Sequence, residues 1–228
     1  MLGQEVLCSV NAPVEVQRRD ELPNEAFIDV HIRPNHGVGM IKERHLEDLV
    51  QGLVKDVILV RLWPRTAVQI TLQILKNSGN EGQEKTDSVR ALTYLTILPA
   101  LLNATCLALL DAGVPMRCIF ASTILHLDSR GNVDIAPDAK TLASADSLHV
   151  FAYSSKGELL LAESEGTAGF SLSQWASLET AAKDICMGLQ ADTSMAVDGK
   201  EDYPGVTVEE IRSVIQDKVI VDNRWRNG

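Results

Sequence analysis

Residues 101–117, reading LLNATCLALLDAGVPMR, leave this chain few ways to fold. Leu101, Leu102, Cys106, Leu107, Leu109 and Leu110 spread apolar groups over most of a helix circumference. Such a helix must be covered on several sides, which places it at the centre of a core. Its end is punctuated: Gly113 stands where a left-handed residue closes the last turn, and Pro115 forbids continuation. Residues 118–127, CIFASTILHL, then have the length and β-branched enrichment of a buried strand.

The other periodicities are those of elements that wrap such a helix. Residues 5–10 (EVLCSV) read as a strand and residues 14–25 as a loop. In 27–32, Ile28, Val30 and Ile32 alternate with Asp29 and His31, which predicts a half-buried strand. Leu46, Leu49, Val50, Leu53, Val54 and Val57 recur at helical steps, so a helix is expected over 42–62, stopped by Pro64. Val68, Ile70, Leu72 and Ile74 alternate with glutamine and threonine, a strand with one wet face. Residues 76–90 are polar and read as an exposed loop.

After the central helix and its strand, 128–132 (DSRGN) form a turn before a short strand at Val133 and Ile135. Residues 148–153 and 158–162 suggest a hairpin. Ser171 or Ser173 should cap a helix running to Gln190, with Trp175, Leu178, Ala182, Ile185 and Met187 as its apolar members. Residues 191–205 read as a loop, and a last helix starts at Thr207 before a fraying tail. Strands and helices mix without a strict βαβ rhythm, which points to α+β. One domain over all 228 residues is expected.

Composition excludes several classes. Net charge is −10, which argues against strong unaided binding to nucleic acid or to an anionic membrane, since phosphate affinity comes mainly from lysine and arginine. Cys8, Cys106, Cys118 and Cys186 are far apart and form no C-x-x-C pair, so neither a disulfide framework nor a zinc site is indicated. The start shows no secretory n-region and h-region. Residues 91–110 carry no charge and would pass a hydropathy test for a membrane span. Their threonines, Asn103 and Pro99, with Gly113–Pro115 behind them, favour a core helix instead. Asn103-Ala104-Thr105 matches a glycosylation acceptor only by chance if buried.

No motif specifies a reaction. His31, His36 and His45 are the densest histidine cluster, without a cysteine partner or H-E-x-x-H spacing. There is no phosphate-cradling glycine loop and no G-x-S-x-G elbow. Asp128, Asp134, Asp138 and Asp146 could pair to hold magnesium or move a proton. Aspartate is equally a normal turn residue at such places.

Three stretches carry a resemblance. Residues 59–75 (LVRLWPRTAVQITLQIL), 102–117 (LNATCLALLDAGVPMR) and 5–15 (EVLCSVNAPVE) resemble the RNase PH family. Within it they are similar to the non-catalytic RNase PH-like ring subunits of the eukaryotic RNA exosome. The resemblance covers residues 5–190 and implies an α+β RNase PH-like fold. Active members use inorganic phosphate to cleave RNA from its 3′ end, which takes cations or helix amides to hold phosphate and a carboxylate at the scissile bond.

This chain departs from that pattern. The family's phosphate loop, Gly-Thr-Arg-Thr or Gly-Ser-Arg, stands just before the central helix, where this chain has Ile97, Leu98 and Pro99. An arginine usual on the earlier helix is Gln51 here. Of two aspartates usual near the hairpin, one matches Asp146 and the other is Lys140. The stretch 91–97 is an unusual apolar extension, and the family's strand before Glu5 is missing, so an unpaired sheet edge or exposed apolar surface is expected.

The resemblance thus implies a subunit without phosphorolytic activity and without metal or other cofactor. Its partners would be RNase PH-like ring subunits in a hetero-oligomer, RNA-binding cap subunits and the RNA passing through the ring, in nucleus, nucleolus and cytoplasm. Arg33, Lys42 and Arg44 flank the loop after Ile32 and are the candidate RNA contacts. The alternative is a working nuclease, phosphorolytic or with metal held by Asp128, Asp134 or Asp146.

Overall fold

The structure, a computed structural model, describes residues 3–76, 87–127, 133–135, 147–166, 169–189 and 206–226. The turn expected at 128–132, the loops expected at 136–146 and 191–205, and Asp128, Asp138, Lys140 and Asp146 lie outside the described residues. The chain separates into two compact units, Leu2–Ile119 and Phe120–Gly228.

In the first unit β1 (Glu5–Glu15), β3 (Thr66–Lys76) and β2 (Phe27–Arg33) form a sheet in the order β1-β3-β2. β1 runs antiparallel to β3 and β2 parallel to it. The register places Val10, Ile70 and Val30 in one row and Cys8, Leu72 and Ile32 in the next. These period-two positions form the face on which α1 (Ile41–Val57) and α2 (Asp87–Asp111) pack, α1 against β2 and α2 against β1. Leu46, Val50, Leu53, Val54 and Val57 are the buried stripe of α1, as their helical spacing requires. β1 runs past the predicted Val10 because a register shift between Asn11 and Val14 absorbs Pro13.

Two boundaries differ from expectation. α1 stops at Val57, not at Leu62. The chain beyond it is drawn into backbone pairing with the segment after α2: Ile58 bridges Met116, Leu59 N–H donates to Pro115 O and Arg117 N–H to Val57 O, both at 2.9 Å. A one-turn 3-10 helix at Val60–Leu62 follows.

The larger difference is at α2, which spans 25 residues from Asp87 and carries Pro99 inside it. The exposed loop and extension expected over 76–98 are therefore helical from residue 87, and Leu95, Ile97 and Leu98 are buried. Proline lacks one helical N–H and crowds the preceding turn. Packing of the apolar residues on both sides of it overrides that penalty. The stop is the one expected: Gly113 has φ +66°, its N–H donates to Leu110 O and Val114 N–H to Leu109 O, both at 3.1 Å. That paired pattern closes a helix through a left-handed residue. Tyr94–Asp111 is long and apolar enough to cross a membrane, and Leu101, Leu102, Cys106 and Leu109 within it are buried.

In the second unit β4 (Phe120–Leu127), β5 (Val133–Ile135), β6 (Ser147–Ser154) and β7 (Leu159–Gly166) form an antiparallel sheet ordered β5-β4-β6-β7. β4 and β6 are buried along their whole length, Ser122, Thr123, His126, Ser147, His149 and Ser154 included. α3 (Leu172–Met187) packs on β4 and β6. Trp175 meets Phe151 edge-on at 6.0 Å, and Tyr153 OH donates to Glu179 O at 3.1 Å. Ser171 and Thr207 open α3 and α4 (Val208–Asp222) with capping boxes completed by Gln174 and Glu210.

His149 is fully buried in this unit, between Ser147 Oγ at 2.9 Å and Ser164 Oγ at 2.8 Å, with the Phe170 ring against its edge. Burial pushes its imidazole from 6.5 down to about 4. Between those values the unfolded chain takes up a proton that the folded chain refuses, so stability is complete above pH 6.5 and falls as the pH drops towards 4. His149→Asn is expected to flatten the decline of the thermal midpoint across that window. Parallel curves for variant and parent would refute the assignment.

Candidate nucleic-acid interface

The candidate RNA contacts sit where β2 ends and α1 begins. Arg33 is the last residue of β2, and Lys42 and Arg44 lie in the first turn of α1; all three are exposed. One acid that periodicity alone did not single out links the strand end to Arg44. Glu47 accepts the Ile32 N–H at 2.8 Å with Oε1 and Arg44 Nη1 at 3.1 Å with Oε2. It thereby ties the end of the strand to the start of the helix across the loop. From β3, Gln73 Nε2 donates to Pro34 O at 3.1 Å and holds the same loop from the other side. Glu43 accepts the Met40 N–H at 2.7 Å and fixes the helix start.

Val38, Met40 and Ile41 stand in that loop and helix start, 72–87% exposed. The surface therefore sets bare aliphatic side chains beside cations, and the cations are what would attract phosphate. Arg44 spends part of its charge on Glu47, so it positions as much as it attracts. The histidines do not converge. His31 pairs with Asp29 at 3.1 Å and His45 meets the Tyr94 ring at 5.4 Å. Among the described residues no three His, Cys, Asp or Glu side chains gather as metal ligands.

The positions of the phosphate loop have a different geometry. Ile97 and Leu98 are 2% and 0% exposed, and α2 runs through them without interruption. Backbone amides here are used in the helix ladder and do not form a helix N-terminus, the arrangement that holds anions. Gln51, at the position of the family arginine, donates through Nε2 to Ile28 O at 2.6 Å. Its amide closes the outer edge of β2. Asp134 lies on β5. Cys106 and Cys186 are buried, Cys8 and Cys118 half-buried; desolvation pushes the Cys8 thiol up to about 11 and that of Cys186 to about 12, away from the thiolate form that reacts.

Comparison with known proteins fits this frame. Residues 3–115 match the RNase PH description, 3′ exoribonuclease family, domain 1. That stretch is an RNase PH domain. The chain is 30% identical over 153 residues to the exosome complex component rrp46 of Schizosaccharomyces pombe, covering 67% of this chain and 61% of that protein. It is 32% identical over 148 residues to the exosome complex component RRP46 of Saccharomyces cerevisiae, covering 64% and 62%. The chain thus spans about three fifths of the length of these relatives. In fold it is similar to rice (Oryza sativa) Rrp46, with a TM-score of 0.64, 20% identity and coverage of 80% of this chain and 77% of that one.

Proposed function

We propose that this chain is an RNase PH-like subunit of an RNA exosome core ring that builds the ring and guides RNA without cleaving it. The relatives named exosome complex component support the ring assignment. The observation that carries the loss of chemistry is the unbroken α2 with Leu98 buried inside it. Phosphorolysis needs an anion held against the scissile bond, by cations or by free helix amides. Leu98 supplies no charge, Pro99 no N–H, and Gln51 is engaged by β2.

In this reading both units act as one RNase PH-like subunit among RNase PH-like neighbours and RNA-binding cap subunits, and no cofactor is required. The exposed turn carrying Arg33, Lys42 and Arg44 faces the RNA. The protein works in nucleus and cytoplasm, including the nucleolus.

The test is degradation of a 3′-labelled RNA by the purified chain, once with inorganic phosphate and once with magnesium. No product is expected in either buffer. Phosphate-dependent release of nucleoside diphosphates, lost in Asp146→Ala, would overturn the reading.

A further inference from the structure

α1 contains a glycine that its own packing does not require. Gly52 stands inside the helix, where glycine is less stable than alanine because it loses more backbone freedom on folding. No neighbour calls for the small residue, since a Cβ added there would meet no atom within 4 Å. The open space belongs to a cleft of about 480 Å³ that Gly52 lines, a volume in the range of small-ligand sites. The cleft lies wholly within the first unit.

Its walls carry a particular set of groups. Asp48, Gln51, Gly52 and Lys55 follow at helical spacing and so share one side of α1. The loop before β2 and the first residue of that strand add Arg19, Leu22 and Phe27. Gln51 is oriented by its bond to Ile28 O at 2.6 Å, which leaves its side-chain carbonyl oxygen to accept. Lys55 stands 3.5 Å from Glu25 and Arg19 3.1 Å from Asp20. Both are solvent-facing pairs, weak enough for a phosphate to compete with the carboxylate. Asp48 has no hydrogen bond or ion pair among the described residues.

We propose that this cleft binds a guanine nucleotide, with the base against Phe27 and Gly52 and the phosphate beside Arg19 and Lys55. An aromatic ring takes up a base by stacking. The missing Cβ lets a flat ring approach the helix backbone closely. The choice of guanine follows from Asp48. An ionised carboxylate only accepts hydrogen bonds, and guanine alone offers it two adjacent donors, N1–H and N2–H, on the pairing edge by which unstacked bases are read. Adenine would set the lone pair of its N1 against the same carboxylate. The site is separate from the turn assigned to RNA, because β2 puts Phe27 and Arg33 at its opposite ends, about 20 Å apart. It goes beyond the ring reading and holds with or without it.

The probe is 5′-GMP, titrated into the full chain while backbone amide resonances are followed. Shifts are expected at Phe27, Gln51 and Gly52, with Arg33 unmoved. AMP, CMP and UMP are expected to bind at least about tenfold more weakly, because none can satisfy both carboxylate oxygens. Gly52→Ala is expected to keep or raise the thermal midpoint and yet weaken GMP binding at least about tenfold, since its methyl group fills the place of the base. Asp48→Asn should bring GMP and AMP to similar affinities. An oligouridine with one central guanosine then identifies the source: competition with GMP points to a nucleotide of an RNA strand, and its absence to the free nucleotide. Equal binding of GMP by Gly52→Ala and the parent would overturn the proposal. So would equal binding of GMP and AMP by the parent, or shifts at millimolar GMP that are absent or confined to the turn around Arg33.

Discussion

Replacing Leu98 with alanine is expected to destabilise the protein by about 2–5 kcal/mol, the usual cost of truncating a fully buried leucine. Leu98 is 0% exposed and sits one residue before Pro99 in the middle of α2. Its loss would leave a cavity beside a helix that already lacks one backbone hydrogen bond at the proline, so neighbouring side chains have little freedom to collapse inward. The measurement is chemical denaturation beside Leu172→Ala, whose side chain is 82% exposed and should change stability by less than about 0.5 kcal/mol.

The result bears on chemistry as well as on packing. An anion-binding loop at 97–99 would tolerate the truncation, since loop side chains contribute little to a core. A change near zero at Leu98 would therefore restore the possibility of a phosphate site there. Leu98→Arg, which returns the cation usual in the family, is expected to fail for the complementary reason: an unpaired guanidinium in this core costs more than the fold can absorb.

What the sequence made legible was mostly local. Gly113 and Pro115 announced the end of α2 because a left-handed cap and a missing N–H are properties of single residues. The start of α3 was legible to within Ser171 or Ser173 and that of α4 at Thr207; the structure chooses Ser171 and completes both caps with Gln174 and Glu210. The alternation in β2 and β3 fixed the inward face of the first sheet. The passage of α2 through Pro99 was legible in the uncharged run 91–110, which reads as a core helix, whereas its first turn from Asp87 falls in a stretch whose polar composition reads as a loop. The early stop of α1 was not legible, since it depends on Ile58 pairing with a residue far along the chain, Met116.

The candidate site divides along the same line. Arg33, Lys42 and Arg44 could be named from the sequence, because cations flanking a turn are visible in it. Glu47 could not. It looks like one more polar residue on the wet face of α1, and its role lies in a bond to the Ile32 N–H across the intervening loop. Gln51 was legible only as a missing arginine, whereas the structure gives it a bond of its own on β2.

Changing Arg33, Lys42 and Arg44 together to alanine is expected to weaken binding of single-stranded RNA by on the order of tenfold near physiological salt. The slope of log affinity against log salt should fall in magnitude by about 2, since each phosphate neutralised on a single strand contributes about 0.7. The effect has a second part specific to this surface. Removing Arg44 leaves the carboxylate of Glu47 without that partner, 3.1 Å away in the folded protein, and an added bare acid repels phosphate. Arg44→Ala should therefore cost more affinity than Lys42→Ala, although Arg44 is the cation already engaged. Binding is best followed by fluorescence anisotropy on an unstructured RNA with the isolated chain. Lys156→Ala, Lys183→Ala and Lys218→Ala together, three cations of the second unit, remove the same charge and control for it. If that control lowers affinity and salt slope as much as the triple variant does, RNA responds only to overall charge. The turn between β2 and α1 would then be an ordinary solvated loop.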